Sequence, residues 1–491
     1  MATAALDTAP TTAVDPLDVS RAELYRDDTW HAPFRQLRET APVYRVEASE
    51  FGPYWSVSSY KGIMEVESLP DVYSSEVGGI TLADFIPESD VKMPMFIAMD
   101  RPKHTGQRRT VAPAFTPSEM TRMTDDIRRR TAEVLDAMPI GEEFDWVDTV
   151  AIELTTQMLA ILFDFPWEDR RKLTFWSDWA GDIELVKTPE LRQQRLEYMF
   201  ECGLYFKGLW DAKVDKAPTP DLISMMIHSD AMKEMDEMEF LGNLILLIVG
   251  GNDTTRNSMS AYAYGLSQFP DERAKLEADP SLIPNAVQEI IRWQTPLSHM
   301  RRTATRDTEL MGQQIREGEK LAMWYVSANR DATVFGEDAD RLVVDRPNAR
   351  RHLAFGHGIH RCVGARLAEN RIATLIAEIA RRNIRIAANC SPVALALTRR
   401  MLWQFSAQGS PAGALAVDAP LNIALGQMGD VHEGVAAFLE KRAPQFPLRL
   451  PRTCLKPPGF TRADTVRAEA ASLGFAGLGH PVVPAEPVAQ S

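Results

Sequence analysis

Hydrophobic positions follow a helical period between residues 117 and 217. Met123, Ile127 and Leu135 lie on one such face, and residues 150–162 repeat the spacing. Apolar residues at this period bury one stripe of a helix against a core. The pattern therefore predicts amphipathic helices throughout this region.

Two short β-prone runs precede that region, at residues 42–46 and 54–57, with Gly52 and Pro53 between them. Aromatic and β-branched residues on both sides of such a turn predict a β-hairpin. Together with the helical period, they predict a mainly α fold with small β-sheets.

Composition narrows the class of protein. The chain has 491 residues, of which 45% are hydrophobic and 25% charged, as in ordinary globular proteins. The formal net charge of -14 disfavours nucleic acid or an anionic membrane surface as the main partner. The cysteines lie far apart without a CxxC motif, which is typical of a reducing cytoplasm: Cys202, Cys362, Cys390 and Cys454.

The N-terminal residues and the longest apolar run bear on location. Residues 1–20 are rich in Ala and Thr and lack a signal-peptide pattern, so we expect a disordered leader. The longest apolar run is 244–249, far short of the ~20 residues that cross a bilayer. We expect a soluble, cytoplasmic protein without a transmembrane anchor.

The stretch with the clearest chemistry is 355–369, which reads FGHGIHRCVGARLAE. Its glycines allow positive φ and a close approach to a flat ligand. Cys362 precedes a run of helix-favouring residues, and a helix N-terminus stabilises a thiolate. The stretch therefore predicts a loop that holds an anionic sulfur. A zinc site with His357 and His360 is the competing interpretation, although the sequence contains no second Cys/His cluster.

A second stretch with chemistry is 240–256, which reads FLGNLILLIVGGNDTTR. Its apolar run meets Gly250 and Gly251 and then Asp253 and Thr254, residue types that are weak in helix interiors. We expect an interrupted helix whose freed carbonyls leave room for water or a diatomic ligand.

Two charged pairs stand at helical spacing. His104 and Arg108 are four residues apart, in a helix that Pro102 can open. Glu289 and Arg292 are three apart. Either pair, taken alone, is compatible with a solvated helix face.

The pattern F-G-x-G-x-H-x-C-x-G resembles the haem-ligand loop of the cytochrome P-450 superfamily, in which a cysteine thiolate holds the iron. Residues 95–104, 246–259, 292–310 and 351–369 together resemble its soluble bacterial branch that hydroxylates the terminal carbon of alkanes and fatty acids. The resemblance covers about residues 21–385. It implies haem b buried between a long central helix and the cysteine-loop helix.

The resemblance also implies roles for individual residues. Cys362 would ligate the iron, Thr254 would stabilise oxygen, and Asp253 would relay protons. Glu289 and Arg292 would form a structural ion pair, completed by one of two later arginines: Arg341 or Arg346. Further cofactor contacts would come from five side chains: His104, Arg108, Arg302 (in preference to its neighbour Arg301), Phe355 and His360. The apolar substrate pocket would be lined by four: Ile97, Leu246, Val249 and Leu297.

After Ile386 the sequence departs from the superfamily, which would continue into β-hairpins. Residues 387–400 and 429–442 instead resemble the helical C-terminal segment of crotonase-type enoyl-CoA hydratases, whose catalytic core has no counterpart upstream. We expect helices here that leave the sheet of the haem domain incomplete. Three parts are expected after the leader: a haem domain (21–385), a hydratase-like helical segment (386–450) and a disordered tail (451–491).

The hypothesis is a haem-thiolate monooxygenase that inserts one oxygen atom of O2 into an unactivated C–H bond of a linear, apolar substrate. The sequence contains neither a flavin segment nor the clustered cysteines of an iron–sulfur protein. Electrons would therefore come from a separate ferredoxin and its ferredoxin reductase. Two rivals stay open: a peroxide-dependent haem enzyme, and a haem-binding protein whose replaced C-terminus impairs catalysis.

Overall fold

The structure is a computed structural model that describes residues 15–85, 91–139, 144–181 and 188–386. The chain divides into two compact units, one of residues 1–21 with 30–386 and one of residues 22–29 with 387–491. In the second unit the described residues form helix α1 (Ala22–Arg26). The expected hydratase-like segment lies outside the described residues except for Ile386, and the expected tail lies wholly outside them.

The described part of the first unit is mainly helical. Its α-helices are α2 (His31–Thr40), α3 (Tyr60–Ser68), α4 (Lys103–Val111), α5 (Pro117–Asp136), α6 (Glu153–Phe163), α7 (Arg171–Gly181), α8 (Pro189–Asp211), α9 (Leu222–Ile227), α10 (Glu237–Gln268), α11 (Pro270–Ala278), α12 (Ile283–Gln294), α13 (Tyr325–Ala328), α14 (Ala332–Phe335) and α15 (Ala365–Arg381). Short 3-10 helices span Phe96–Ala98, Ala112–Phe115, Trp167–Asp169, Pro280–Leu282, Ala349–Arg351 and Gly358–His360, and a π-helix, Val147–Ile152, leads into α6. The helices predicted between residues 117 and 217 are confirmed by α5 to α8.

The strands are β1 (Val43–Val46), β2 (Tyr54–Val57), β3 (Tyr73–Ser74), β4 (Met300–Ala304), β5 (Thr308–Leu310), β6 (Gln313–Ile315) and β7 (Lys320–Met323). The larger sheet has the order β1-β2-β7-β4-β3, and β5 pairs with β6 in a smaller one. β1 and β2 are antiparallel, with Val43 opposite Val57, and Gly52 between them takes a φ of +73°. The predicted hairpin and small sheets are confirmed.

The predicted disordered leader, residues 1–20, includes six residues that are ordered in the structure, 15–20. The hydroxyl of Tyr54 donates to Asp18 at 2.8 Å, and that of Tyr44 donates to Asp15 at 3.1 Å. Val19 is completely buried. Residues 15–20 therefore pack against the hairpin, because the strand tyrosines supply partners for the leader's carboxylates. Residues 1–14 lie outside the described residues.

Helix α10 is the central element. Asp236 caps it by accepting the backbone N–H of Glu239 at 2.8 Å, and it packs against α6, α7, α8, α12 and α15. The expected interruption at the glycine pair is wrong, since the helix is continuous. Gly251 instead permits close packing, because a β-carbon there would lie 2.8 Å from Leu159 of α6. Neither α10 nor any other described helix is long and apolar enough to cross a membrane.

Three hydrophobic clusters form the core of the described residues. One end of α10 contributes Leu244 and Ile248 to the first cluster, and the other end contributes Met259 and Leu266 to the second. The third cluster covers the larger sheet. Because α10 belongs to both helical clusters, the residues at its middle are held in a fixed position between them.

Candidate active site

The loop that carries Cys362 is shaped by its glycines. Gly356 and Gly358 take φ of +66° and +64°, which glycine adopts without strain. A β-carbon on Gly358 would lie 2.1 Å from the carbonyl oxygen of Glu67 in α3. The backbone N–H of Cys362 donates to the carbonyl of Phe355 at 2.8 Å and closes the loop.

Cys362 lies just before the first turn of α15. Burial raises the pKa of its thiol, while the N–H of Gly364 and the guanidinium groups of Arg108 and Arg361 lower it. The side chain of Cys362 is nevertheless exposed to solvent in this structure, so the expected anionic sulfur stays a prediction. Coordination to a metal removes the proton from a thiol, so a bound iron would favour the anionic form.

Two histidines lie together here: the buried His104, and the half-buried His360 of the loop itself. The rings of His104 in α4 and His360 have centroids 4.2 Å apart, and neither ring nitrogen of either residue has a hydrogen-bond partner. Burial lowers the pKa of His104 to about 4 and that of His360 to about 2, so both are neutral at pH 7. Unsatisfied buried polar groups of this kind call for a partner.

Two arginines complete the cluster. Arg108, one turn after His104, donates to the carbonyl of Arg361, which ties α4 to the cysteine loop. Arg302 in β4 is buried and lies 3.5 Å from the carboxylate of Glu67. Its neighbour Arg301 is engaged elsewhere, 2.6 Å from Asp84.

Neutral imidazoles and guanidinium groups bind carboxylates well, and haem carries two. His104 and His360, with Arg108 and Arg302 close to them, have the chemistry that would hold the two carboxylates of a haem, and Cys362 could supply a thiolate ligand to its iron. Phe355, the other predicted contact, is half-buried with its ring centroid 5.3 Å from that of His352.

An accessible stripe runs along the middle of α10. Five residues of this stripe are partly or fully exposed: Leu246, Val249, Gly250, Asp253 and Thr254. Most residues on the opposite face of the helix are buried. A β-carbon on Gly250 would meet no atom within 4 Å. The stripe therefore passes from apolar side chains to an acid and an alcohol along one helical face.

Asp253 sits in a polar network. Its Oδ1 lies 2.9 Å from a guanidinium nitrogen of Arg256 and accepts from the hydroxyl of Ser177 at 3.2 Å. Arg256 also lies 2.9 Å from Asp178, so it links α10 to α7. Burial raises the pKa of Asp253, and Arg256 opposes that rise. Sequence reasoning missed Arg256, although its spacing of three from Asp253 was a visible signal.

The other predicted pocket residues are less closely grouped. Ile97 is half-buried in the 3-10 helix Phe96–Ala98, which docks on α10 because the side chain of Asn243 accepts the N–H of Phe96 at 2.9 Å. Leu297 lies between α12 and β4 and is 37% exposed. Neither Ile97 nor Leu297 belongs to the core clusters of the described residues.

A buried ionic cluster supports the site from α12. Both carboxylate oxygens of Glu289 lie 2.7 Å from Arg292, and Arg346 approaches at 2.9 Å. Arg346 is thus the later arginine, whereas Arg341 pairs with Asp271 at the surface.

The competing zinc interpretation finds no ligand set. In the part of the chain that the structure describes, no three His, Cys, Asp or Glu side chains are grouped to hold a metal ion. That part includes Cys362, His357 and His360.

This chain is similar to a known protein family and to several of its members. Residues 117–382 match the family described as Cytochrome P-450. Linalool 8-monooxygenase from Pseudomonas putida is 36% identical over 366 residues, covering 72% of this chain and 88% of that protein. The solved structure of CYP153D17 from Sphingomonas sp. PAMC 26605 is 77% identical with a TM-score of 0.72 and covers 76% of this chain and 93% of its own. Cytochrome P-450-153 from Novosphingobium aromaticivorans is 60% identical with a TM-score of 0.71, covering 75% and 92%.

A helical fold that sets a cysteine loop, unpartnered imidazoles and arginines against a long central helix has the features of a haem protein. The family match and the similar proteins carry this further: the chain belongs to the cytochrome P-450 family. It is therefore a monooxygenase with haem b as its cofactor, and it uses O2 and a redox partner.

Proposed function

We propose that this enzyme hydroxylates the terminal carbon of medium-chain alkanes or fatty acids with electrons from a ferredoxin and its reductase. The stripe on α10 carries the proposal, because Leu246 and Val249 offer an uncharged surface that leads to Asp253 and Thr254. An apolar chain gains binding energy from such a surface. The motifs at residues 95–104, 246–259, 292–310 and 351–369, which resemble the branch that hydroxylates terminal carbons, support the same substrate class.

In this proposal Cys362 ligates the haem iron, and His104, Arg108, Arg302 and His360 hold its carboxylates. The thiolate-ligated haem supplies oxygen activation and oxidation of the C–H bond. The protein's own residues bind the cofactor and the substrate, keep bulk water out and deliver protons.

Thr254 and Asp253 are the proposed proton donors. The hydroxyl of Thr254 donates to the carbonyl of Gly250 at 3.1 Å, so it is held at the open side of α10 and can turn to another acceptor. Asp253, through Ser177 and Arg256, connects this position to α7. In this proposal a protonated Asp253 carboxyl passes its proton to the Thr254 hydroxyl through water, because adjacent side chains on a helix do not face each other.

The electron donor and the location follow from the cysteines. None of the four cysteines is close to another in sequence, whereas an iron–sulfur cluster takes four cysteine ligands at short spacings. A separate ferredoxin is therefore the proposed donor. Dispersed cysteines also suit a cytoplasmic location.

The test of substrate and donor is product analysis with purified ferredoxin and reductase. Octane and octanoic acid should each yield the terminal alcohol as the main product, and omission of ferredoxin should abolish turnover. Mainly subterminal alcohols would contradict the proposed regiochemistry. Turnover that is faster with hydrogen peroxide than with ferredoxin would favour the peroxide-dependent alternative.

The ligand assignment has its own test. Cys362→Ser should lose the thiolate-type absorption of the reduced, CO-bound enzyme, because a serine hydroxyl stays protonated and is a poor soft ligand. Cys202→Ser is the matched control, since Cys202 is buried in the first core cluster, and it should keep that absorption.

A further inference from the structure

Glu67 is a buried carboxylate at the end of α3, with only 5% of its surface exposed. Its Oε2 accepts the backbone N–H of His357 at 2.7 Å, and its Oε1 accepts the hydroxyl of Tyr325 at 2.7 Å. Arg302 lies 3.5 Å from Oε1. Burial raises the pKa of Glu67, and these three partners oppose the rise.

The three partners come from separate parts of the fold: the cysteine loop, α13 and β4. The backbone of α3 also touches the loop, because a β-carbon on Gly358 would lie 2.1 Å from the carbonyl oxygen of Glu67. A β-carbon on Gly356 would lie 3.5 Å from Oε1. Both the side chain and the backbone of Glu67 therefore fix the cysteine loop.

We propose that Glu67 is a positioning residue of the haem site. It fixes where the cysteine loop and Arg302 lie relative to each other. Through His357 it locates Cys362, and through Arg302 it locates the guanidinium that faces a haem carboxylate. The inference rests on the proposed function in taking Cys362 as the iron ligand.

A carboxylate is required because it presents two acceptor oxygens to donors on opposite sides. Glutamine keeps the shape but has only one acceptor oxygen. Its amide NH2 group would therefore replace the acceptor either for the N–H of His357 or for Tyr325 and Arg302. Aspartate keeps the charge but is shorter by one carbon–carbon bond of about 1.5 Å. Each change thus breaks a different part of the arrangement.

The test is the rate at which the holoenzyme transfers haem to excess apomyoglobin, together with the reduced CO-bound spectrum. Glu67→Gln should fold, by circular dichroism, yet lose haem about tenfold faster, because hydrogen bonds to charged groups are among the stronger ones. Its thiolate-type fraction should also fall.

Glu272→Gln is the matched control. Glu272 lies in α11 and is as buried as Glu67. Its carboxylate accepts the backbone N–H of Val344 at 3.0 Å. It should lower the melting temperature while leaving the rate of haem loss unchanged. Equal haem loss in the two variants, or an unchanged rate in Glu67→Gln, overturns the proposal.

If Glu67→Gln does not fold, Glu67→Asp decides. Faster haem loss in this folded variant supports the positioning role, and a wild-type rate overturns it. The assay uses no substrate, so failure of the proposed alkane chemistry leaves it unaffected. An error in the ligand assignment would show separately, as a missing thiolate band in the wild-type enzyme.

Discussion

At the scale of single residues, Thr254 and its neighbour Thr255 differ in their exposure. The side chain of Thr254 returns a hydrogen bond to the carbonyl of Gly250 one turn earlier, a local bond that threonine makes within helices. The adjacent Thr255 has the same side chain but is buried, at 6% exposed. The two threonines therefore allow the proposed proton role of Thr254 to be tested against a structural role of Thr255.

Thr254→Ala should retain haem and substrate binding but form less product for each reducing equivalent consumed, on the order of tenfold less, because a proton donor and not a ligand is removed. Thr255→Ala should keep normal coupling. The measurement is product formed per NADH oxidised. Equal coupling in wild type and Thr254→Ala would remove the proton role assigned to this face of α10.

At the scale of elements, Arg256 links α10 to α7, beside the hydrogen bond from Ser177 to Asp253. Arg256 lies 2.9 Å from both Asp253 of α10 and Asp178 of α7. A shift of α7 would therefore change the charge environment of the proposed proton donor. The ion pair with Asp178 and the ion pair with Asp253 can therefore be removed by separate substitutions.

Arg256→Ala should move the alkaline limb of the pH–activity profile upward by about one unit, because a proton donor acts while it is protonated and loss of the nearby cation raises the pKa of Asp253 further. Asp178→Asn should move the limb slightly in the opposite direction, because Asp178 raises the pKa of Asp253 while the Arg256–Asp253 pair remains. Profiles measured from pH 5 to 8 distinguish them. The same shift in both variants would point to displacement of α7 instead of a direct charge effect.

At the scale of the whole molecule, the ionic cluster of α12 holds distant segments together. Arg292 is completely buried and donates to the carbonyl groups of Asn329, Ala339 and Arg341 as well as to Glu289. One side chain thus satisfies backbone groups from two separate loops. Such a cluster cannot lose its carboxylate without leaving buried charge uncompensated.

Glu289→Gln should therefore destabilise the protein by about 3–5 kcal/mol, the cost of breaking a buried ion pair. Arg341→Ala, which removes the exposed pair with Asp271 and a cation–π contact with Phe269, should cost about 1 kcal/mol. Denaturant unfolding measures both. Comparable losses in the two variants would show that the cluster is not the stabilising element.

Stability should also fall with acid because of two histidines, the buried His352 and the half-buried His299. Burial lowers the pKa of His299 to about 4 and that of His352 to about 3, whereas in the unfolded chain both titrate near 6.5. Below pH 6.5 the unfolded state binds more protons, so each residue removes about 1.4 kcal/mol of stability per pH unit until its folded pKa is reached.

The melting temperature should therefore drop between pH 7 and pH 5, and His352→Gln should drop less than wild type. In the folded protein His352 is placed as a neutral ring between the N–H of Ala354 and the side chain of Gln288. An identical pH dependence in the variant would rule out His352 as a contributor.

The sequence by itself determined the helical period, the hairpin, the cysteine loop and the histidines and arginines beside it. These features depend on local chemistry: the spacing of apolar residues, glycines at positive φ, and a cysteine next to a helix start. The same local reasoning wrongly broke α10 at Gly250, because it could not see that Gly251 fits against Leu159 of α6.

Only the tertiary structure decided between Arg341 and Arg346, placed Asp178 near Asp253 through Arg256, and brought Glu67 to the cysteine loop. The partners in these contacts are separated by 57 residues for Glu289–Arg346, 78 for Asp178–Arg256 and 290 for Glu67–His357. No local period encodes such distances along the chain, because the contacts form only when helices and loops pack around a shared core.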